Sequence, residues 1–491
     1  MFKFCNTTVA QSSQRLKEMG VRKVMGSTRS QIILQQLAEC LFIVMTAIAV
    51  SILINTWWLP SYNSMFNNVH VTADYRTDYT LLAVLGILLL AVTFLAGGYP
   101  AFYISRFNAS DIFRGGVKFG GSNVFSRILL GLQITISFIT VIAGLAFSRN
   151  ASFQKNYDYG YNKDNIIGMF VQSANDYHAL RNELDKINGI EMIAGTRQHI
   201  GFSQRTASLE SAGQQKESQY LEVGENYLNT LQLKLTAGRD FNAAGQGDIE
   251  RSMLINQHLA FQFGWKDNEA IGKQIKIDTN LCTVVGVLKD FAPQGFFMPV
   301  GPVALRLVAP AKYAQLIIRT KPRALTTVFG QLRETWPKLF PLKPFSGYYQ
   351  SESTAQSIRT NDSIATIFFW FSMLAVLFAA TGLFALISLT ILKKRKEIAI
   401  RKVVGATPRH IYQLILKGYA PVFLLAAGLG CYAGYQLSKL LMDMIFRINA
   451  GVNTATLGIS FTCMLCIIAA TAGIRIWAAF RAKSTNLLKG E

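Results

Sequence analysis

Apolar residues gather in six long runs, at 32–54, 81–102, 124–147, 364–392, 419–437 and 456–474. A helix needs about 20 such residues to cross a bilayer, so each run predicts a membrane-spanning helix. Residues 148–363 read differently, as short apolar stretches broken by polar ones. Runs such as 283–291 and 315–320 are rich in β-branched residues and predict strands. Residues 176–189 and 324–336 carry apolar positions at helical spacing. That alternation predicts mixed α/β subdomains of the βαβ type. The expected fold class is therefore an α-helical integral membrane protein with about six transmembrane helices and one mixed α/β domain. The run at 364–392 extends to about 44 Å as a helix, which exceeds a bilayer core of about 30 Å. It can continue outside the membrane as a stalk, with 124–147 as its partner. Phe291–Val300, with its FFMP, reads either as an exposed apolar tip or as core.

Composition sharpens this picture. Of 491 residues, 51% are hydrophobic and 16% charged, too apolar for a disordered chain. The net charge is +21, which in a soluble protein would suggest nucleic acid. Its distribution points elsewhere. The segments 1–31, 103–127, 393–410 and 475–491 hold 21 Lys and Arg against four acids. The large segment 148–363 is nearly balanced, with 24 basic and 20 acidic residues. This is the positive-inside pattern, so both termini are expected in the cytoplasm and the large domain outside. Nucleic-acid binding is set aside, because the cations are juxtamembrane. Within the spans, Glu39 and Lys417 stand near the inner ends, and no line of polar residues marks a solute path.

A basic motif occurs twice. Lys17-Glu18-Met19-Gly20-Val21-Arg22-Lys23-Val24-Met25-Gly26-Ser27-Thr28 is matched by Lys396-Glu397-Ile398-Ala399-Ile400-Arg401-Lys402-Val403-Val404-Gly405-Ala406-Thr407. Aligned without gaps from 15–32 to 394–411, eight positions are identical, which indicates a duplication. Each copy precedes two apolar runs and a basic tail. The apolar residues recur at helical spacing and predict a short amphipathic helix on the inner membrane face. Gly26 and Gly405 stand where that helix would end, followed by hydroxyl residues able to cap the next one. Pro408 suits the first turn of that second helix. A lone copy would read equally well as a topology-setting anchor. Two copies suggest equivalent contacts with a two-fold symmetric cytoplasmic partner.

Other chemistry is sparse. Cys282 is the sole cysteine of the large segment, and Cys463-x-x-Cys466 lies within an apolar run, where packing is the better reading. No G-x-x-x-x-G-K-[ST] or H-E-x-x-H occurs; GGVKFGGS at 115–122 lacks the lysine. Asp176, Glu183 and Asp185 near His178 read as a solvated helix face.

KEIAIRKVVGAT at 396–407, its weaker copy KEMGVRKVMGST, and the paired spans after each resemble the FtsX/MacB-like ABC transporter permeases, in particular the tandem-repeat permeases of Bacteroidetes-type bacteria. YGYNKDNII (159–167), LKLTAGRDF (233–241), LINQHLAFQFGW (254–265), AIGKQIKI (270–277) and VVGVLKDF (284–291) are similar to that family's periplasmic core domain. The resemblance implies an inner-membrane permease that is not an enzyme and has no cofactor of its own. ATP and Mg are expected on a separate cytoplasmic ATPase dimer, with a periplasmic or outer-membrane protein as a further partner. It implies ATPase coupling by Lys17, Glu18, Arg22, Lys23 and Gly26, and by Lys396, Glu397, Arg401, Lys402 and Gly405.

The implied organisation is a cytoplasmic segment with the first coupling helix (1–31), a first transmembrane pair (32–115), a helix opening the second repeat (124–147), the periplasmic core domain (148–363), and a second permease domain (364–491). Such a permease transmits motion for export or extraction of a peptide, lipoprotein or toxic compound. An FtsX-type regulatory complex that controls an envelope partner without transport is the alternative. A membrane sensor without an ATPase is disfavoured by the duplicated motif. The first half has no counterpart of 124–392, so a truncated gene or misplaced start is expected, against a genuinely asymmetric protein.

Overall fold

The computed structural model describes residues 21–65, 70–105, 122–202, 205–242 and 247–481. Ten helices matter for function: α1 (Arg29–Met65), α2 (Tyr79–Ser105), α3 (Ser122–Lys155), α4 (Ala174–Leu184), α5 (Leu325–Leu339), α6 (Gln350–Lys393), α7 (Arg395–Val403), α8 (Pro408–Leu416), α9 (Ala420–Ile445) and α10 (Thr454–Arg481). Eleven strands accompany them: β1 (Ile166–Phe170), β2 (Ile190–Thr196), β3 (Arg205–Ser211), β4 (Gln214–Val223), β5 (Leu235–Gly238), β6 (Ser252–Asn256), β7 (Gln274–Ile277), β8 (Asn280–Leu288), β9 (Val303–Leu307), β10 (Gln315–Thr320) and β11 (Gly347–Tyr349). The chain divides into two compact units. One comprises Met1–Arg149, Asp362–Leu440 and Gly451–Glu491; the other comprises Asn150–Asn361 and Leu441–Ala450.

The first unit is helical. Among the described residues, five helices are long and apolar enough to cross a membrane: α1, α3, α6, α9 and α10. The run expected at 81–102 lies on α2, whose described apolar part is Tyr79–Leu95. In the second repeat, α3, α6, α9 and α10 bury one continuous core that includes Phe138, Leu383, Ile387, Phe423, Met464 and Ile476. Small residues let these helices approach. A Cβ on Gly430 would fall 2.6 Å from the Phe138 Cβ, and one on Gly434 2.9 Å from Ile142 Cδ1. The α3–α6 seam adds hydroxyl bonds: Ser137 Oγ donates to Ala375 O at 2.9 Å, and Ser372 Oγ to Thr140 O at 2.7 Å. The expected pairing of 124–147 with the long helix is thus present, and α6 runs for 44 residues without a break. Gly430→Val should force α9 off α3. Overpacking of this kind costs about 1–3 kcal/mol, to be read as a lower melting temperature in detergent. An unchanged melting temperature would refute the close approach.

The second unit is α/β. β1, β2, β10 and β11 form an antiparallel sheet in the order β11-β1-β10-β2. α4 connects β1 to β2 and α5 connects β10 to β11, so two split βαβ units interlock in the ferredoxin-like manner. Their core joins Met169, Leu180, Ile318, Val328, Leu332 and Trp336. Between β2 and β10 the chain makes a second body. β4, β3, β7, β8, β6 and β9 pair in succession, and β9 returns to β4 in parallel. That closes a six-stranded barrel and removes its edges. The β3–β4 hairpin turns on Ala212 and Gly213, both at positive φ (49° and 79°), as a two-residue turn of the primed type requires.

Leu441–Ala450, which the sequence placed with the second permease domain, belongs to this α/β unit. Arg447 N–H and Ile448 N–H both donate to Phe296 O, and Ala450 N–H donates to Asn150 Oδ1. The FFMP stretch divides between its two readings: Phe291 and Phe296 are core, while Phe297 and Met298 are exposed.

Candidate functional site

The repeated motif forms an elbow whose described parts match in both copies. α7 ends at Val403, and Gly405 takes φ +93°; Gly26 takes φ +95°. Both glycines sit in the left-handed region that other residues enter at a cost, as the end of a helix demands. The backbone closes alike around them. Ser27 N–H donates to Arg22 O at 3.0 Å, and Ala406 N–H donates to Arg401 O at 2.9 Å. Gly26 to Lys23 and Gly405 to Lys402 each measure 3.1 Å.

The next helix starts alike too. Thr28 N–H donates to Gln31 Oε1 at 2.9 Å, and Gln31 N–H reaches back to Thr28 Oγ1 at 3.4 Å. Thr407 N–H donates to His410 Nδ1 at 3.4 Å, and the Thr407 hydroxyl lies 3.1 Å from the same nitrogen. Each is a reciprocal cap. Beyond it, both copies bury the same stripe: Ile32, Gln36, Cys40 and Val44 in α1, and Ile411 and Ile415 in α8, Tyr419 in the turn after it and Phe423 in α9. Thr407→Ala should cost about 1 kcal/mol of local stability. Faster amide exchange at the start of α8 would report it; unchanged exchange would speak against the cap.

The motif's apolar residues do not share one face, as the expectation of an amphipathic helix on the membrane required. Ile398 and Ala399 are buried, Ile398 within the transmembrane core. The other described ones stand free, and to similar degrees in the two copies. Val404 and Met25 are both 82% exposed, Val403 and Val24 71% and 69%, Ile400 and Val21 59% and 48%. Exposed aliphatic side chains at two equivalent tips form a surface able to enter a partner's cleft.

The charged residues play different parts. Arg401 Nη2 donates to Glu397 Oε1 at 2.8 Å, and Lys394 Nζ lies 3.6 Å from Glu397 Oε2. Glu397 stands in the first turn of α7 and Arg401 and Lys402 in its last, which suits the helix dipole, whereas Lys394 is the residue before the first turn. Lys402 turns inward: its Nζ donates to Phe480 O at 2.7 Å and lies 4.9 Å from the Phe480 ring centroid. It ties α7 to α10. In the first copy Arg22 bonds Gln35, and burial, with Arg29 nearby, lowers the Lys23 pKa. Lys17, Glu18 and the side chain of Lys396 lie outside the described residues. Between α7 and α8 lies an open groove of about 510 Å³, lined by Ile400, Arg401, Val404, His410, Leu414 and Lys417. The Thr–Gln and Thr–His caps were readable from spacing alone; the inward turn of Lys402 had no signal in the sequence.

In the α/β unit, the acidic side chains singled out in the sequence and His199 are taken up by neighbouring bases and polar groups. Among the described residues, no group of three or more His, Cys, Asp or Glu side chains could hold a metal ion. Asp176 is ion-paired with Lys343 at 2.7 Å, Asp185 with Arg181, and Glu183 with Lys186 at 2.6 Å. His199 is fully buried. Its Nδ1 accepts from the Tyr227 hydroxyl and its Nε2 donates to Gln350 Oε1, each at 2.9 Å. Gln350 Nε2 donates in turn to Ile200 O at 3.0 Å, which fixes the amide and hence the neutral tautomer. Burial pulls the His199 pKa down to about 4.

Known proteins share both parts of the chain. Residues 1–109 and 369–484 match the FtsX-like permease C-terminal model, and 128–335 match the MacB-like periplasmic core domain model. Relatives include the macrolide export ATP-binding/permease protein MacB of Rhodopseudomonas palustris strain BisB18, 21% identical over 258 residues, covering 49% of this chain and 38% of the relative. MacB of Hahella chejuensis is 21% identical over 245 residues, covering 47% and 38%. The chain thus spans about two fifths of the length of these curated relatives. Among solved structures, the periplasmic region of MacB from Actinobacillus actinomycetemcomitans is 14% identical, with TM-score 0.31, covering 39% of this chain and 92% of that one. A domain of a putative permease protein from Porphyromonas gingivalis is 15% identical, with TM-score 0.28, covering 40% and 93%.

Proposed function

Because the chain belongs to the FtsX/MacB-like ABC transporter permeases, we propose that it couples ATP hydrolysis on a separate cytoplasmic ATPase dimer to movement of its periplasmic core domain. ATP and Mg would be held by that partner. The work would drive export or extraction of an envelope substrate: a peptide, a lipoprotein or a toxic compound. The observation that carries this reading is the pair of matched elbows, each with a rigid glycine turn, a reciprocal cap and an exposed aliphatic tip.

The elbow is stiff for physical reasons. Ile398, Ile411 and Ile415 anchor α7 and α8 in the core that also holds α6 and α10, and Lys402 adds a tie to Phe480. Close-packed contacts of this kind transmit displacement instead of absorbing it. Pushing the tip would therefore move α6, a single helix of 44 residues, about 66 Å long. In this reading both elbows and both termini lie in the cytoplasm, as positive-inside asymmetry favours.

Purification from native membranes in mild detergent, with mass spectrometry of the associated chains, tests the proposal. A Walker-motif ATPase should co-purify, and its turnover should rise when the two are reconstituted. A preparation that binds no ATPase and leaves ATPase turnover unchanged would overturn it.

A further inference from the structure

The span on α10 contains a cation. Arg475 lies inside the apolar stretch Thr454–Ala478, one residue beyond the run expected to end at 474. Its Nε donates to Ser388 Oγ at 2.7 Å, and its guanidinium carbon lies 4.8 Å from the centroid of the Phe384 ring. Ser388 is itself fixed, because its hydroxyl donates to Phe384 O at 2.7 Å and so turns a lone pair towards the arginine. The contact sits five residues before the end of α6, about 7.5 Å along the helix. Among the described residues, Arg475 pairs with no carboxylate, and its terminal amino groups have no protein acceptor. A guanidinium within two turns of a span's end lies within reach of the headgroup region. Farther along α10 towards the same end, Arg481 lies 3.6 Å from the Trp477 ring centroid, and Lys402 approaches Phe480. Ile474 and Trp477 beside the arginine are exposed apolar surface.

We propose that Arg475, held by Ser388 and Phe384, binds the phosphate of an anionic phospholipid in the leaflet on the motif side. The free edge of a guanidinium matches two phosphate oxygens at once. The ring and hydroxyl of α6 hold the plane of that fork, so it does not simply reach for water. Exposed Ile474 and Trp477 offer the acyl chains a surface. A headgroup without its own ammonium is favoured, because a zwitterionic one carries an internal competitor for the phosphate. Inorganic phosphate shares the chemistry but lacks the acyl chains that the apolar setting would hold. This inference is independent of the ATPase.

The test uses the full chain in bilayer discs made from equal amounts of phosphatidylglycerol and phosphatidylcholine, followed by stepwise detergent stripping and counting of retained lipid. The wild type should retain phosphatidylglycerol in excess. Arg475→Gln should lower that excess about fivefold, near the value of one basic group at a lipid surface, and Arg475→Lys should lower it less. Ser388→Ala, which removes only the fixing hydroxyl, should give a partial loss and carries the comparison if Arg475→Gln fails to fold. Equal retention of the two lipids by the wild type, or an undiminished excess in Arg475→Gln, would mean that the arginine only reaches for the interface, and the proposal falls. Displacement of the retained lipid by excess inorganic phosphate would identify a soluble occupant and overturn the lipid assignment.

Discussion

A chain carrying Val403→Asp and Val404→Asp is expected to keep its fold and lose its ATPase. Both side chains are exposed beyond two thirds, so removing them costs the folded protein little; changes at such positions usually stay within about 0.5 kcal/mol. At an interface the same residues would be buried, and each aspartate would carry a charge into an apolar cleft. Central interface positions lose about 2–4 kcal/mol on truncation, a thirtyfold to near thousandfold fall in affinity. Co-purification should fail while the melting temperature stays within about 2 °C of the wild type.

The equivalent change in the first copy, Val24→Asp with Met25→Asp, should do the same if the partner is two-fold symmetric. A full effect from one copy and none from the other would break the symmetric reading. Normal binding and turnover in both variants would remove the elbows as the coupling site. Lys402→Glu is a poorer probe. It destroys the bond to Phe480 O, so a loss of function would confuse docking with folding.

Acid is expected to unfold the α/β unit through His199. The imidazole is buried and neutral, with its pKa pulled from the ordinary 6.5 to about 4. The unfolded chain binds the proton at higher pH than the folded one. No penalty therefore exists above pH 6.5, one grows as pH falls through 6.5, and it is complete once pH drops below about 4. The gap corresponds to about 3 kcal/mol, a large share of a typical domain's stability. Protonation would also turn Nδ1 into a donor facing the Tyr227 hydroxyl, which already receives Ile200 N–H at 3.4 Å.

A second acid step lies lower. Arg239 holds Asp248 down to about 2, so that pair supports the fold until pH falls from about 4 towards 2. The two windows are separable. Hydrogen exchange of the full chain should show residues 190–230 losing protection between pH 6.5 and 4, and His199→Gln should flatten that dependence. A wild type and variant with the same pH profile would show that the step belongs to another group.

Legibility differed between features for physical reasons. The spans were visible because a bilayer demands long apolar runs, and α3, α6, α9 and α10 lie where the runs stood. β10 falls on residues 315–320, as read from its β-branched residues. Gly26, Gly405 and Pro408 marked the elbows because helix ends are set by one or two residues of local backbone chemistry. The fate of each apolar residue in the motif was not legible. Ile398 and Ile400 are two positions apart and chemically alike, yet one is core and the other is exposed. Helix geometry puts positions i and i+2 on nearly opposite faces, so one of the two had to turn away; which one faces inward is set by the position of α8 and α10, which no local pattern encodes.

The sequence by itself determined the membrane class, the duplication, the charge asymmetry and the stops of the short helices. Each follows from composition or from contacts within a few residues. The tertiary structure alone decided that β9 closes the barrel against β4, that His199 meets Gln350 across 151 residues, that Lys402 serves α10, and that Arg475 sits on Ser388 of α6. These pairings join residues far apart in the chain, and they form only where packing of the intervening elements brings the partners within hydrogen-bonding reach.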